Sequence, residues 1–347
     1  MHLPHAGVRP TISPMRPSGN TRDAGNTRGT VAAFVVLSLV WGASFLFMKV
    51  GLEGLSPAQL VLGRLTLGAA ALIAIMLVTR RRWPRGRTIW VHMLVVSLAL
   101  AVVPYSLFAW AGQYMPSSLS SIYNATTPIM TLLLMPLVLV GERLTRTQVV
   151  GLVVGLSGVV VLAAPWQLVG VGQSPELLPA QLACLGATIS YGFAGLYMRR
   201  FLTNSGYDTI TLSTVQIGLA AVIVWLLAPF TARGEVSIDL PVFLAVAGLG
   251  VLGTGFAYIW YNRILRDWGP ARASTVTYLS PVVGVVLGVV VLGESVHWNQ
   301  PLGGLIVVVG VLASQGRMPG MRALSRRNRV DVEAPGAVVP AAPKPRE

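Results

Sequence analysis

The sequence predicts an all-α integral membrane protein whose ten transmembrane helices form two inverted five-helix repeats, and three observations carry that prediction. Residues 30–314 contain ten apolar stretches of membrane-spanning length. Cationic residues fall almost entirely in every second gap between those stretches. The two halves of the chain also repeat the same residues at a nearly constant offset.

The spans are expected at 30–50, 58–79, 90–112, 117–140, 148–166, 179–199, 207–229, 241–263, 271–292 and 299–316. A helix needs about 20 residues to cross a hydrocarbon core of about 30 Å, and these lengths fit with modest tilt. Strands of a membrane barrel would alternate in polarity over about 10 residues, which these stretches do not do. Residues 30–166 and 179–316 would be the two repeats, with an external loop at 167–178 between them. Residues 1–29 hold arginine, proline, glycine and threonine without the apolar core of a secretory signal, and are expected to form a disordered cytoplasmic tail. Residues 317–347, basic and rich in proline and alanine, are expected to form a second one.

Charge sets the orientation. Threading the spans with the amino terminus inside puts Arg80, Arg81, Arg82, Arg85, Arg87, Arg143, Arg146, Arg199, Arg200, Arg263, Arg266 and Arg272 in inner connections, against Arg233 alone outside. Such a bias in short loops is what orients a membrane protein, so both termini are expected in the cytoplasm and the chain in the plasma (inner) membrane.

Composition agrees with a polytopic bundle: apolar residues make up 54% of the 347 positions and charged residues 11%. The net charge of +14 does not indicate nucleic acid, because the arginines are scattered over inner loops and tails and not gathered on one folded face. Anionic lipid facing those loops accounts for them. The single cysteine, Cys184, lies in the sixth apolar stretch and is read as a small packing residue.

The internal echo is specific. Trp41, Gly42, Met48 and Lys49 match Tyr191, Gly192, Met198 and Arg199; Pro128, Gly141 and Glu142 match Pro281, Gly293 and Glu294. Five spans per repeat is an odd number, so the second copy must lie upside down relative to the first. Inverted repeats place a binding site near the midplane, where the halves meet, and let it open to either side in turn. That plan is far commoner among transporters than among membrane enzymes.

The run Trp41-Gly42-Ala43-Ser44-Phe45, followed by Lys49-Val50-Gly51-Leu52, Leu55-Ser56-Pro57 and Arg64, resembles the opening of an EamA-type repeat of the drug/metabolite transporter superfamily. The later run from Ala273-Ser274 through Tyr278-Leu279-Ser280-Pro281 to Gly293-Glu294 is similar to that family's ending. The resemblance covers both repeats and neither tail. It implies ten helices, cytoplasmic termini and movement of a small organic metabolite or drug.

Several residues could carry such a function. A charge at the centre of a membrane helix costs about 2.5–3.5 kcal/mol, so cations within spans need a reason. Lys49, at the outer end of the first span, either extends to the headgroups or meets a substrate. Arg64 lies about 9 Å into the second span at 1.5 Å per residue, where it either anchors helix ends or meets a carboxylate in a cavity. Pro128 removes the backbone donor that would reach Asn124, and Pro281 the one that would reach Thr277. Tyr123, Asn124 and Thr127 flank the first kink and Thr277 and Tyr278 the second; these groups either line a cavity or satisfy the kinked backbone. Trp41, near mid-span and matched by Tyr191, would suit a planar or apolar solute, with Ser44 one turn further along. Glu142 and Glu294 each stand just before the next span, where the positive end of a helix dipole favours a carboxylate. Small residues four apart, Gly151 with Gly155 and Gly284 with Gly288, allow close helix approach.

These features favour a carrier of small organic solutes, with export preferred to import. A phosphate loop needs Gly-Lys followed by Ser or Thr, and neither Lys49 nor Lys344 fits. An intramembrane enzyme would need a buried nucleophile and base, or a metal cluster, and His2, His5, His92 and His297 cannot converge in this topology. A receptor or scaffold without transport is the remaining alternative. No cofactor, metal, catalytic residue or obligatory protein partner is expected; the partners are solute and lipid, and a homodimer is left open.

Overall fold

The computed structural model describes residues 23–167, 175–203, 205–273 and 275–316, and all regular structure among them is helical. The first repeat contains α1 (Asp23–Gly51), α2 (Pro57–Val78), α3 (Arg87–Ser97), α4 (Val103–Ala111), α5 (Ser117–Asn124), α6 (Thr127–Val138) and α7 (Arg146–Ala163). The second contains α8 (Leu177–Phe201), α9 (Thr209–Thr231), α10 (Leu240–Ala247), α11 (Ala257–Trp268), α12 (Pro270–Ala273), α13 (Val276–Leu292) and α14 (Asn299–Ser314). Helices α3 and α4 join through a π-helical turn at Leu98–Val102, and α10 and α11 through a π-helical stretch at Gly248–Phe256. Eight of the resulting segments are long and apolar enough to cross a membrane, and α13 and α14 are shorter apolar helices.

Sequence explains where four of the helices begin. Ser56 accepts from the backbone of Gln59 while the Gln59 side chain accepts from the backbone of Ser56, and Pro57 supplies a preset first turn. Thr145 and Gln148 form the same reciprocal cap on α7, and the Asp208 and Asp239 carboxylates cap α9 and α10.

The structure moves three expected boundaries. Helix α1 begins at Asp23, so part of the expected 1–29 tail is helical, and the buried Thr30 hydroxyl fixes that end by donating to Asp267 at 2.6 Å. The expected span at 117–140 is divided into α5 and α6 at Ala125 and Thr126. The expected span at 271–292 is divided ahead of Val276, several residues before Pro281, and α13 runs through that proline. The expectations for residues 1–22, 168–174 and 317–347, and for Ser274, lie outside the described residues.

Burial is inverted relative to a protein folded in water. Val78, Val140 and Val290 are 83%, 82% and 76% exposed, whereas Ser97, Ser118, Ser121, Thr126, Thr188 and Gln216 are buried. Apolar side chains outside and hydrogen-bonding groups inside are what a lipid solvent selects. The main core is built from α1, α2, α4, α5, α8 and α9 around Leu60, Leu65, Phe108, Tyr123 and Ile217. To one side α7 and α14 pack as a pair: a Cβ at Gly158 would stand 2.7 Å from the Val307 backbone nitrogen, and one at Gly303 would stand 2.7 Å from that of Leu162. Only glycine permits so close a crossing.

Candidate functional site

The π-helical turns create the site. An α-helix bonds each N–H four residues back, and a π turn bonds it five back, swelling the helix and re-aiming its side chains. Leu98–Val102 stands immediately before Pro104, whose missing donor already disturbs the bonding there, and so aims Tyr105 into the bundle. In the other half, the glycine-rich stretch Gly248–Phe256 presents Thr254 from a widened turn, with its hydroxyl donating to the Leu249 carbonyl at 3.0 Å.

Arg64 of α2 lies between these two features. Its Nε donates to the Thr254 hydroxyl at 3.1 Å, and its Cζ stands 3.7 Å from the centroid of the Tyr105 ring. A guanidinium over an aromatic face is stabilised by about 0.5–2 kcal/mol, which offsets part of the cost of a charge in the membrane. The two Nη groups make no hydrogen bond among the described residues. Tyr191 and Tyr258 lie within electrostatic reach of the same guanidinium.

Around this centre the walls are aromatic. Phe45 meets Phe108 edge to face at 5.3 Å between ring centroids, and Phe108 lies 6.2 Å from Tyr191. The Trp41 indole donates to the Gly253 carbonyl at 3.3 Å and lies 5.8 Å from the Tyr261 ring. Ser44 is buried beside Gly253, with its hydroxyl returned to the Val40 carbonyl at 2.9 Å. The cluster can therefore offer a solute one cationic, hydrogen-bond-donating centre and a planar apolar surround. A separate, mostly apolar groove of about 360 Å³ lined by Gln59, Leu62, Thr66, Trp225 and Val246 carries no charged side chain.

Of the residues singled out in the sequence, Trp41, Ser44, Arg64 and Tyr191 come together here. The kink residues Tyr123, Thr127 and Tyr278 have partners of their own. Thr127 donates to the Asn124 carbonyl at 2.8 Å, so the acceptor that Pro128 leaves without its backbone donor is satisfied by a neighbouring hydroxyl. Tyr123 is fully buried in the core. Tyr278 packs beside Ile129 and Val307 and receives a hydrogen bond from Gln315, and Ser280 donates to the Val276 carbonyl one turn back in α13, the helix that contains Thr277 and Pro281.

Both carboxylates are placed differently from a cap on the following helix. Glu142 pairs with Arg199 at 2.7 Å, leaving the α7 terminus to Thr145 and Gln148. Glu294 caps α5, a helix of the other repeat, through the Ser117 and Ser118 backbone donors at 2.6 and 2.9 Å. Lys49 neither extends to headgroups nor meets the cluster, but donates to the Gly112 and Met115 carbonyls at 2.8 and 3.2 Å, closing the end of α4. Two residues of the centre, Tyr105 and Thr254, are not among those singled out in the sequence. The signals were a tyrosine directly after an intramembrane proline, and single polar residues inside otherwise apolar stretches.

Comparison with known proteins agrees with the two-repeat plan of the chain. The EamA-like transporter family profile matches residues 28–164 and again residues 178–314. The inner membrane transporter YedA of Escherichia coli is 27% identical over 289 residues, covering 82% of this chain and 90% of that one. A protein of Streptantibioticus cattleyicolor named "probable terminal-alkyne amino-acid exporter" is 25% identical, over 84% of this chain and 95% of its own. A "probable amino-acid metabolite efflux pump" of Escherichia coli is likewise 25% identical, over 82% and 93%. One solved crystal structure superposes with a TM-score of 0.58 at 22% identity, over 83% of this chain and 98% of its own, which is a likeness of fold.

Proposed function

The chain belongs to the EamA-like transporter family and is a multi-pass membrane transporter, and from that premise we propose that it exports a small organic solute bearing a carboxylate, such as an amino acid or a related metabolite, by alternating access. The observation that supports the substrate class is the Arg64 guanidinium. Its Nε and one face are engaged by Thr254 and Tyr105, while both Nη groups are left to a ligand. A planar fork of donors matches a carboxylate in two parallel hydrogen bonds, and the cost of holding the charge is recovered when such a ligand arrives. Phe45, Phe108 and Tyr191 would then receive the apolar part of the solute.

In this reading ten spans cross the membrane with both termini in the cytoplasm, and the two repeats lie antiparallel about the Arg64 centre. Export is favoured by the names of two relatives, a probable exporter and a probable efflux pump. The cycle requires the centre to face cytoplasm and exterior by turns, with charge kept out of lipid throughout.

The test is flux of a labelled metabolite panel through proteoliposomes holding the full chain. Saturable movement of a carboxylate-bearing compound, competed by its relatives and lost in Arg64→Ala, is the expected result. No saturable flux would return the chain to a receptor or scaffold role. Chemical alteration of the compound would indicate an enzyme. Accessibility labels at Met1 and Glu347 report the orientation, and labels on opposite sides would remove the antiparallel plan.

A further inference from the structure

The two repeats carry matching carboxylates, yet the structure bonds them differently. Gly293, at φ +65°, ends α13 in the left-handed conformation, and the Glu294 N–H returns to the Gly288 carbonyl at 3.1 Å. That turn aims the Glu294 side chain across the repeat boundary at the N-terminus of α5, where the Ser117 and Ser118 N–H groups hold its two oxygens at 2.6 and 2.9 Å. Glycines bring the helices within reach: a Cβ at Gly284 would collide with Ser121 of α5, and one at Gly288 with Glu294 and Ser117. Lys49 lies within electrostatic reach of Glu294 while its ammonium binds the α4 end. The outer ends of α1, α4, α5 and α13 are thus joined through two charged side chains.

At the opposite face the matching positions make no such closure. Glu142 is tied to Arg199, the counterpart of Lys49, as an exposed pair with side chains 43% and 56% accessible. Thr131 stands three residues after Pro128, as Gly284 does after Pro281, and Met135 stands where Gly288 would. There the close approach is made from the facing helix, a Cβ at Gly192 of α8 standing 2.9 Å from the Thr131 backbone nitrogen, and no carboxylate ties the crossing to a helix terminus among the described residues.

Resting on the alternating-access reading, we propose that Glu294 is the latch of the outer mouth: its bonds to the Ser117 and Ser118 backbone hold α13 against α5 while the centre faces the cytoplasm, and they break each time it faces outward. Opening exposes both partners to water, so the carboxylate and the helix terminus exchange one another for solvent and no charge enters lipid. The N-terminus of α5 favours an anion through its aligned peptide dipoles, which makes the latch specific for a carboxylate. Burial opposes ionisation of Glu294, but the Ser118 and Ser117 donors prevail and hold its carboxyl below the ordinary range, so the latch is charged at neutral pH.

The experiment reads the two mouths separately in full-length protein with Cys184→Ser. One reporter, Ser121→Cys, lies at the outer crossing; a second, Thr131→Cys, lies on the inner half of the bundle. Membrane-impermeant maleimide is applied to right-side-out vesicles for the first and to inside-out vesicles for the second. Glu294→Ala is expected to accelerate labelling at the outer reporter at least tenfold with the inner reporter no faster, and Glu294→Gln, which keeps an acceptor but no charge, to fall between. Unchanged outer labelling in both variants overturns the latch. So does acceleration at both reporters together, which would mark a merely loosened bundle. Glu294→Gln carries the test if Glu294→Ala does not yield monodisperse protein. No solute is needed, so failure here leaves the flux test of the carrier itself standing.

Discussion

Arg64 of the first repeat donates to Thr254 of the second at 3.1 Å, across 190 residues of sequence. This bond joins α2 to the π-helical stretch of the other half, so the cation at the centre of the bundle is positioned by both repeats at once. Arg64→Lys keeps the charge but loses the Nε donor, the planar fork and the flat face against Tyr105. An increase in KM of about tenfold, equivalent to about 1.4 kcal/mol, is expected, with the maximal rate changed less. Tyr105→Phe keeps the ring and should stay near the parent, while Tyr105→Leu should weaken transport. Solute concentration curves in proteoliposomes check all three.

Lys49→Met removes the two hydrogen bonds that close the end of α4 while keeping an unbranched side chain of similar length. The Gly112 and Met115 carbonyls would each lose a charged donor, and hydrogen bonds to charged groups contribute about 1.5–3 kcal/mol. A lowered thermal unfolding midpoint in detergent is the expected readout. An unchanged midpoint would show that those carbonyls find water at no cost.

Thr127→Val is nearly isosteric and deletes only the hydroxyl that satisfies the Asn124 carbonyl. A loss of about 1 kcal/mol of stability is expected, with Thr127→Ser restoring it. Flux should be affected less than stability. A selective loss of flux at full stability would instead place Thr127 in contact with the solute.

The α7–α14 crossing leaves no room for side chains. Gly158→Leu should prevent assembly or destabilise it by about 1–3 kcal/mol or more, because Val307 and Gly303 already occupy the space. Gly195→Ala is the contrasting case. Nothing stands within 4 Å of a Cβ there, so replacing a helical glycine should leave stability unchanged or raise it by up to about 1 kcal/mol. Expression and midpoint measurements on the pair separate steric from conformational effects.

Burial acts against ionisation of Asp208, but Arg81 and the Thr211 donors outweigh it and hold the carboxyl below its ordinary value of 3.8. A lowered carboxylate contributes stability that is fully present above the ordinary value and is lost as pH falls through the lowered one. Parent protein should therefore lose part of its unfolding midpoint between about pH 4 and lower values, and Asp208→Asn should lose less over the same window. Midpoints compared at pH 6 and pH 3 decide it.

Much was legible in linear order because hydropathy and charge are local sums. The apolar stretches and the arginine bias each depend on a few adjacent residues. The candidate site was half legible. Trp41, Ser44, Arg64 and Tyr191 stood out as polar or aromatic groups at membrane depth, and the structure gathers them. Tyr105 and Thr254 did not, because a tyrosine after a proline and a lone threonine in an apolar stretch are weak local marks that do not reveal the π turns that re-aim them. The kink prolines leave two readings open in linear order: a lost backbone donor signals an acceptor in need, and a neighbouring threonine, as at Thr127, meets that need as readily as a solute does.

The sequence by itself determined that this chain lives in lipid and that its halves are copies, and its loop charge sets the threading to be expected, since transfer energy and loop charge act segment by segment. Only the tertiary structure decided what the charged residues do. Lys49 and Glu294 could each have served their own helix, and each instead closes the end of another, because a charge in a low-dielectric bundle settles on whichever terminus folding brings within hydrogen-bond distance. That choice depends on how the helices cross, and the crossings depend on glycines such as Gly284 and Gly303 meeting partners far away in the chain.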